Sequence, residues 1–381
     1  MNFRILKKAK RGYGRLGVIE TDHGVIHTPS FVPVGTQATV KGLTVDQLRS
    51  LGTESVLCNT YHLYLRPGDK TVKKMGGLHK FMNWDRPIWT DSGGFQAFSL
   101  GAAIEHGVGK IASIFPGRNQ KDVGEKERVI KDGLTRITED GVEFRSHLDG
   151  SKHLFTPEKS MEIQENLGAD IIFAFDECTS PLHDYQYTKK SMERTHRWAK
   201  RSLVAHKQKE KKQSLFGIVQ GGAYKDLREI SAQFIGSLSF PGFGIGGSLG
   251  KSKKDMYKVL EWTMPHLPED KPRHLLGIGS PEDIYECVKR GVDTFDCVLP
   301  TRLGRNGNAL LSGENLNIKS GRYLKDKKPI DKKCKCYTCQ NHTRAYVSHL
   351  FRANEMLGPI LTTIHNLFFM EELMKGIRKS I

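Results

Sequence analysis

Residues 169–176 read ADIIFAFD, an apolar run from Ala169 that closes on the carboxylate of Asp176. It shows no polar alternation, so it suits a strand buried on both faces, as in a parallel sheet. Six further runs share this form: 55–59 (SVLCN), 87–91 (PIWTD), 214–220 (SLFGIVQ), 243–247 (FGIGG), 274–279 (HLLGIG) and 292–296 (VDTFD). Segments of helical period separate them, among them 157–167 (PEKSMEIQENL), 253–263 and 281–290. The last follows Ser280, a good N-cap, with Pro281 at the first helical position. Strand–helix alternation of this density predicts an α/β fold, a (β/α)8 TIM barrel rather than a doubly wound sheet.

The ends of these runs carry the chemistry. Asp91, Asp176, Gln220, Gly246, Gly247, Gly279 and Asp296 all fall at C-terminal tips. In a barrel such tips converge on the face where active sites are built. Helix capping accounts for any single Asp at a tip. It accounts poorly for three Asp and a Gln at four tips.

The chain has 381 residues and a formal net charge of +17. Its composition suits a globular protein with a real core, and its apolar runs are far shorter than the ~20 residues that span a bilayer. The N-terminus MNFRILKKAKRGYG lacks an apolar signal core, and seven cysteines do not form a disulfide framework. The expectation is a cytoplasmic protein with no membrane association and a polyanionic partner, nucleic acid first. Ten Lys/Arg against two Glu lie in residues 189–212, and thirteen Lys/Arg against five Asp/Glu in residues 319–381. For the first block a solvated helix face and RNA contact weigh equally. The second block surrounds a cysteine cluster, which favours a functional basic surface.

That cluster, Cys334, Cys336 and Cys339, has the C-x-C-x2-C spacing of a metal site. Three thiolates and one histidine would close a structural Zn2+ site with no open position for water. Spacing does not choose among His342, His349 and His365, although the first stands so close to Cys339 that the loop would be strained. Upstream, Asp91-Ser92-Gly93-Gly94-Phe95-Gln96 follows a strand, and no G-K-[ST] accompanies it, which disfavours nucleoside triphosphates. Asp176 and Gln220 offer the acceptors and donors that read a purine-like edge, with an N-cap and a βα turn as the plainer alternatives. Asp296 leads into Thr301, Arg302, Arg305 and Asn306, a setting suited to attack beside a phosphodiester backbone. Asp91 and Asp296 could divide acid/base and nucleophilic work, as in retaining glycosyl transfer. Cys297 has no nearby histidine in sequence, so a packing role is expected.

The ordered motifs DSGGFQ, SHLDGS, FDEC, GIVQGG, GIGG, DCVLPTR and C-x-C-x2-C…TIHN resemble bacterial tRNA-guanine transglycosylases from about residue 12 to 369. The resemblance implies a catalytic barrel (residues 1–315), a C-terminal zinc-binding subdomain with helices (316–381) and a homodimer. It implies exchange of guanine at wobble position 34 of tRNAs with a GUN anticodon for a 7-deazaguanine, preQ1 or queuine. Asp296 then corresponds to the nucleophile and Asp91 to the general acid/base. Ser92, Phe95, Asp176, Gln220, Gly246 and Gly247 would bind the base; Gly277, Ser280, Thr301, Arg302 and Arg305 would meet the tRNA. Cys334, Cys336, Cys339 and His365 would be the zinc ligands. The target nucleotide must leave its stack to reach the carboxylates. Two departures stand out. After Gly247 the family's usual Leu-Ala-Val-Gly-Glu is replaced by Ser248-Leu249-Gly250-Lys251-Ser252, so the Glu that supports recognition of the preQ1 aminomethyl group is missing. Residues 105–133 read as an inserted loop. A glycoside hydrolase fits the basic C-terminal third poorly. An inactive tRNA-binding accessory subunit fits poorly with both Asp present.

Overall fold

The computed structural model describes residues 1–97, 135–207 and 213–381. The expected insertion at 105–133 lies outside them, as does the end of the first basic block. Eight short parallel strands close a barrel: β1 (Ser30–Gly35), β2 (Val56–Cys58), β3 (Ile88–Thr90), β4 (Ile171–Phe173), β5 (Ser214–Val219), β6 (Phe243–Ile245), β7 (Arg273–Leu275) and β8 (Thr294–Cys297). Seven of them lie in or overlap the seven apolar runs. β1 escapes the pattern because Pro29 precedes it and Pro33 interrupts it, and proline normally argues against a central strand. Helices α1 (Val45–Leu51), α2 (Thr60–Leu65), α3 (Pro157–Leu167), α4 (Tyr185–Lys207), α5 (Lys225–Ser237), α6 (Lys253–Thr263) and α7 (Pro281–Lys289) lie between strands, and α8 (Leu299–Arg305) follows β8. The expected helices at 157–167 and 253–263 match α3 and α6, and that at 281–290 ends one residue early.

The chain divides into two compact units: Asn59–Gly77 with Thr90–His274, and Asn2–Cys58 with Leu78–Trp89 and Leu275–Ile381. In the first, β5 is buried along its whole length and pairs in parallel with β4 and β6. Gln164 of α3 is fully buried and ties two strands together. Its amide oxygen accepts from the Thr90 hydroxyl (3.0 Å) and the Phe173 N–H (3.1 Å), while its nitrogen donates to the Phe173 carbonyl (2.9 Å). The end of β3, just before Asp91, is thereby held to α3 and β4. An antiparallel hairpin sheet (Thr135–Ile137, Val142–Arg145, Lys152–Phe155) carries SHLDGS in its second turn.

The basic helix α4 also belongs to this unit. Arg194 pairs with Glu177 and Glu139, Arg197 is bidentate to Glu139 (2.6 and 2.9 Å), and Arg201 is bidentate to Glu158 (2.7 and 2.8 Å). These carboxylates neutralise three of the block's cations and favour the solvated-face alternative.

The second unit joins the two ends of the chain. β8 pairs in parallel with β1, Thr294 opposite Ser30. Arg15, from an antiparallel sheet of Asn2–Lys8, Arg15–Thr21 and Gly24–Thr28, makes a fully buried bidentate pair with Asp293 (2.8 and 2.7 Å). Arg378, near the end of the last helix, donates to the carbonyls of His27 and Pro29. After α8 come a small two-stranded sheet (Asn308–Ala309 with Leu316–Asn317) and helices α9 (Tyr337–Asn341), α10 (Arg344–Arg352) and α11 (Leu357–Ser380). No described helix is long and apolar enough to cross a membrane.

Candidate active site and metal centre

Asp91 directly follows β3. Its Oδ1 accepts from the N–H groups of Thr60 (2.9 Å) and Gly93 (3.2 Å), and its Oδ2 accepts from the Asn59 side-chain amide. Asn59 is the N-cap of α2, its oxygen accepting from the His62 N–H at 3.0 Å. One side chain thus caps a helix and orients the carboxylate. Neither Asn59 nor Thr60 was anticipated, although Asn59 is itself the polar tip of the run at 55–59.

Ser92, Asp176 and Gln220 form a continuous buried line. The Ser92 hydroxyl donates to Asp176 Oδ1 (2.9 Å), and Gln220 Nε2 donates to Asp176 Oδ2 (2.7 Å). Asp176 caps no helix, because the next one begins only at Tyr185. The other face of the Gln220 amide, Oε1, has no hydrogen-bond partner among the described residues although it is buried. A buried acceptor left open is costly unless a ligand or a water supplies the donor. Gly247 is pressed against it: a Cβ there would lie 2.1 Å from Gln220 Oε1. Gly94 of DSGG serves similar close packing, since a Cβ there would lie 2.6 Å from the Asp176 carbonyl oxygen. Ser160 of α3 supports the loop by donating to the Ser92 carbonyl (2.7 Å). Phe95 is half-buried one residue beyond Gly94.

In the second unit, Asp296 lies near the C-terminal end of β8, partly exposed, and its Oδ1 accepts from the Gly277 N–H at 3.0 Å. Gly277 has φ +79° and open space where a Cβ would stand. Burial pushes the neighbouring Cys297 thiol up to about 12, so it stays protonated at neutral pH and packs against Gly279. Ser280 caps α7, accepting from the Asp283 N–H (3.3 Å). Arg302 and Arg305 lie on α8, and burial together with Arg302 holds the Arg305 guanidinium below its ordinary value. Arg305 Nη1 is buried with no hydrogen-bond partner among the described residues. Thr301 is different. It is buried, and its hydroxyl donates to the Val298 carbonyl (3.1 Å), so it holds the start of α8 rather than facing solvent.

The ligand atoms of Cys334, Cys336, Cys339 and His365 all lie within 4.8 Å of one another. His365 Nδ1 stands 3.7 Å from Cys336 Sγ and 3.3 Å from Cys339 Sγ. A tetrahedral Zn2+ with its usual bond lengths would set N···S near ~3.6 Å, so the residues fit such an ion. The other imidazole nitrogen, Nε2, bonds to the Leu310 carbonyl at 2.8 Å, which leaves Nδ1 for the metal. Backbone N–H groups of Asp331, Cys336 and Cys339 point at the sulfurs, as they do around thiolates. His342 stacks on Tyr346 instead, and His349 is exposed. The four residues could hold a metal ion with every ligand position supplied by protein. Beside His365, Asn366 donates to the carbonyls of Pro300 (2.9 Å) and Asn308 (3.0 Å) and accepts from the Leu310 N–H (2.8 Å). The motif TIHN thus joins the metal centre to α8.

The sequence model of the family described as Queuine tRNA-ribosyltransferase matches residues 10–381. The chain belongs to this family. Proteins of that description from Thermoanaerobacter pseudethanolicus, Desulforamulus reducens and Staphylococcus aureus are 53%, 51% and 50% identical to it. Each alignment covers 100% of this chain and 93%, 94% and 92% of the respective relative. As a queuine tRNA-ribosyltransferase family member the protein is a pentosyltransferase, a tRNA-guanine transglycosylase of queuosine synthesis. In the loop that departs from the usual family pattern, Asp255 accepts from the N–H groups of Lys251 and Ser252 (both 3.0 Å) and completes a capping box with Ser252. The acidic residue of this loop is engaged in capping α6.

Proposed function

We propose that the enzyme exchanges guanine at wobble position 34 of GUN-anticodon tRNAs for a 7-deazaguanine, preQ1 or queuine, through a covalent aspartyl–ribose intermediate. The observation that carries this reading is the Ser92–Asp176–Gln220 line, which ends on a buried, unpartnered amide oxygen beside Gly247. Such a line presents fixed acceptors to the N–H edge of a planar purine. Ser92, Phe95, Asp176, Gln220, Gly246 and Gly247 bind the base. A carboxylate oxygen of Asp296 attacks C1′ of the ribose as the C1′–N9 bond breaks, and the departing electron pair goes to the base. Asp91, held by Asn59 and Thr60, transfers the proton to the outgoing base and takes one from the incoming base. The new base then attacks C1′ and releases Asp296. Gly277, Ser280, Arg302 and Arg305 meet the RNA, with Thr301 fixing the helix that carries the arginines. Zn2+ occupies the Cys3His centre and braces the C-terminal subdomain. The protein acts as a cytoplasmic homodimer.

The test supplies radiolabelled guanine and tRNA to wild type and to Asp296→Ala. Label should enter tRNA with wild type and fall by at least about a thousandfold with the variant. No uptake by wild type would overturn base exchange; uptake by the variant would overturn only the nucleophile. Competition by preQ1 and by queuine identifies the incoming base.

A further inference from the structure

Arg228 binds two of the loops on which the base site is built. It lies in the first turns of α5, fully buried. Its Nε donates to the Gly222 carbonyl (2.7 Å) and its Nη1 to the Val219 carbonyl (3.1 Å), the two sides of the turn that carries Gln220. Its Nη2 donates to the carbonyls of Gly246 and Ser248 (both 2.9 Å), the two sides of Gly247. The guanidinium therefore brackets Gln220 on one loop and Gly247 on the other. All four acceptors are peptide carbonyls, and among the described residues no carboxylate is a hydrogen-bond partner.

A buried cation solvated only by backbone dipoles is an expensive way to fill space, and burial alone pulls this guanidinium down to about 9. A hydrophobic side chain of similar volume would avoid that cost if packing were the whole requirement. What it could not do is hold four carbonyls of two separate loops at fixed spacing, which needs a planar fork with donors on several edges. That spacing is tight, because Gly247 abuts Gln220 Oε1 with no room for a methyl group. Ser231, one turn further along α5, accepts from the Gln220 N–H (3.1 Å) and is itself bonded to His196, so the turn is also held from behind. Ser231 steadies one loop; Arg228 spans both, beside a backbone bond from the Gly246 N–H to the Val219 carbonyl (3.1 Å).

We propose that Arg228 is a positioning residue for the incoming and outgoing base, fixing residues 219–222 and 246–248 against each other so that Gln220 and Gly247 present one rigid edge to the purine. This rests on the assignment of Gln220 and Gly247 to the base site. The experiment measures guanine exchange into tRNA with Arg228→Lys and Arg228→Ala, resolving KM for guanine, KM for tRNA and kcat. In Arg228→Lys, KM for guanine should rise at least tenfold while KM for tRNA stays within twofold. In Arg228→Ala, millimolar methylguanidinium should restore at least threefold of the lost guanine affinity, and tetramethylammonium should not. A fall in kcat per total protein with unchanged KM for guanine would mark a merely structural residue and overturn the proposal, as would loss of folded protein in both variants. If Arg228→Ala alone fails to fold, Arg228→Lys decides. Absence of exchange by wild type would remove the base-site reading and this proposal together, an outcome distinct from a silent variant beside an active wild type.

Discussion

Gly247 occupies the left-handed region at φ +79°, and its Cα faces the amide oxygen of Gln220. Both facts forbid a side chain. Gly247→Ala would strain the backbone by ~1–2 kcal/mol and force Gln220 out of line with Asp176. The expected outcome is a KM for guanine raised at least tenfold with little change in KM for tRNA. Unaltered guanine affinity would show that the base binds elsewhere. Residues of this kind divide by legibility. Asp91, Asp176, Gln220 and Asp296 could be read because a polar group closing an apolar run is chemically out of place. Ser160, Gln164 and Arg228 could not. Their partners are backbone groups or side chains brought near only by folding, and in sequence each looks like an ordinary polar residue of a helix or its cap.

Elements were legible where local chemistry and burial agree. α7 was expected from Ser280 and Pro281, and α3 from its period and from Pro157 at its start. β1 was missed because its prolines oppose a strand locally, while pairing with β8 and β2 settles the matter globally. The N-terminal antiparallel sheet was missed as well, since its first strand, Asn2–Lys8, is largely exposed and rich in cations. On α11 the conflict between element and residue remains in the folded protein. Glu371 is buried on that helix, near Glu54 and with Arg378 and Lys375 on the other side of the balance, and burial pushes its carboxyl up to about 8. A carboxyl raised in the folded state contributes its full stability below the unfolded value near 4.5 and loses it as pH rises toward 8. Glu371→Gln should therefore melt close to wild type at pH 5 and increasingly above it up to pH 9. The gain there is on the order of 3–5 kcal/mol. Parallel melting curves for the two proteins across that range would place the carboxylate in contact with water.

Over the whole chain, net charge pointed to a polyanion but gave no map. The structure spends three arginines of the first basic block on carboxylates, whereas Arg322, Lys325, Lys327, Lys328, Lys332, Lys333 and Lys335 are exposed along the stretch of chain that leads into the cysteine cluster. Metal and basic surface therefore stand or fall together. Chelation of the reduced protein should release about one Zn2+ per chain, lower the melting temperature and weaken tRNA binding, because a closed Cys3His site contributes its binding energy to folding. A metal content near zero in freshly purified reduced protein would refute the assignment.

The pairing of β8 with β1, and of Arg15 with Asp293, has a consequence for how the chain is made. The two partners of the buried ion pair are 278 residues apart. At a translation rate of ~5–20 residues per second, roughly a quarter to one minute separates their emergence from the ribosome. Throughout that interval β1 presents an unsatisfied edge, and the arginine destined for burial has no counter-ion. The nascent protein must wait in a half-made state that no local contact can close. A ribosome-stalled chain that ends before residue 293 should therefore be more open to protease than the released full chain.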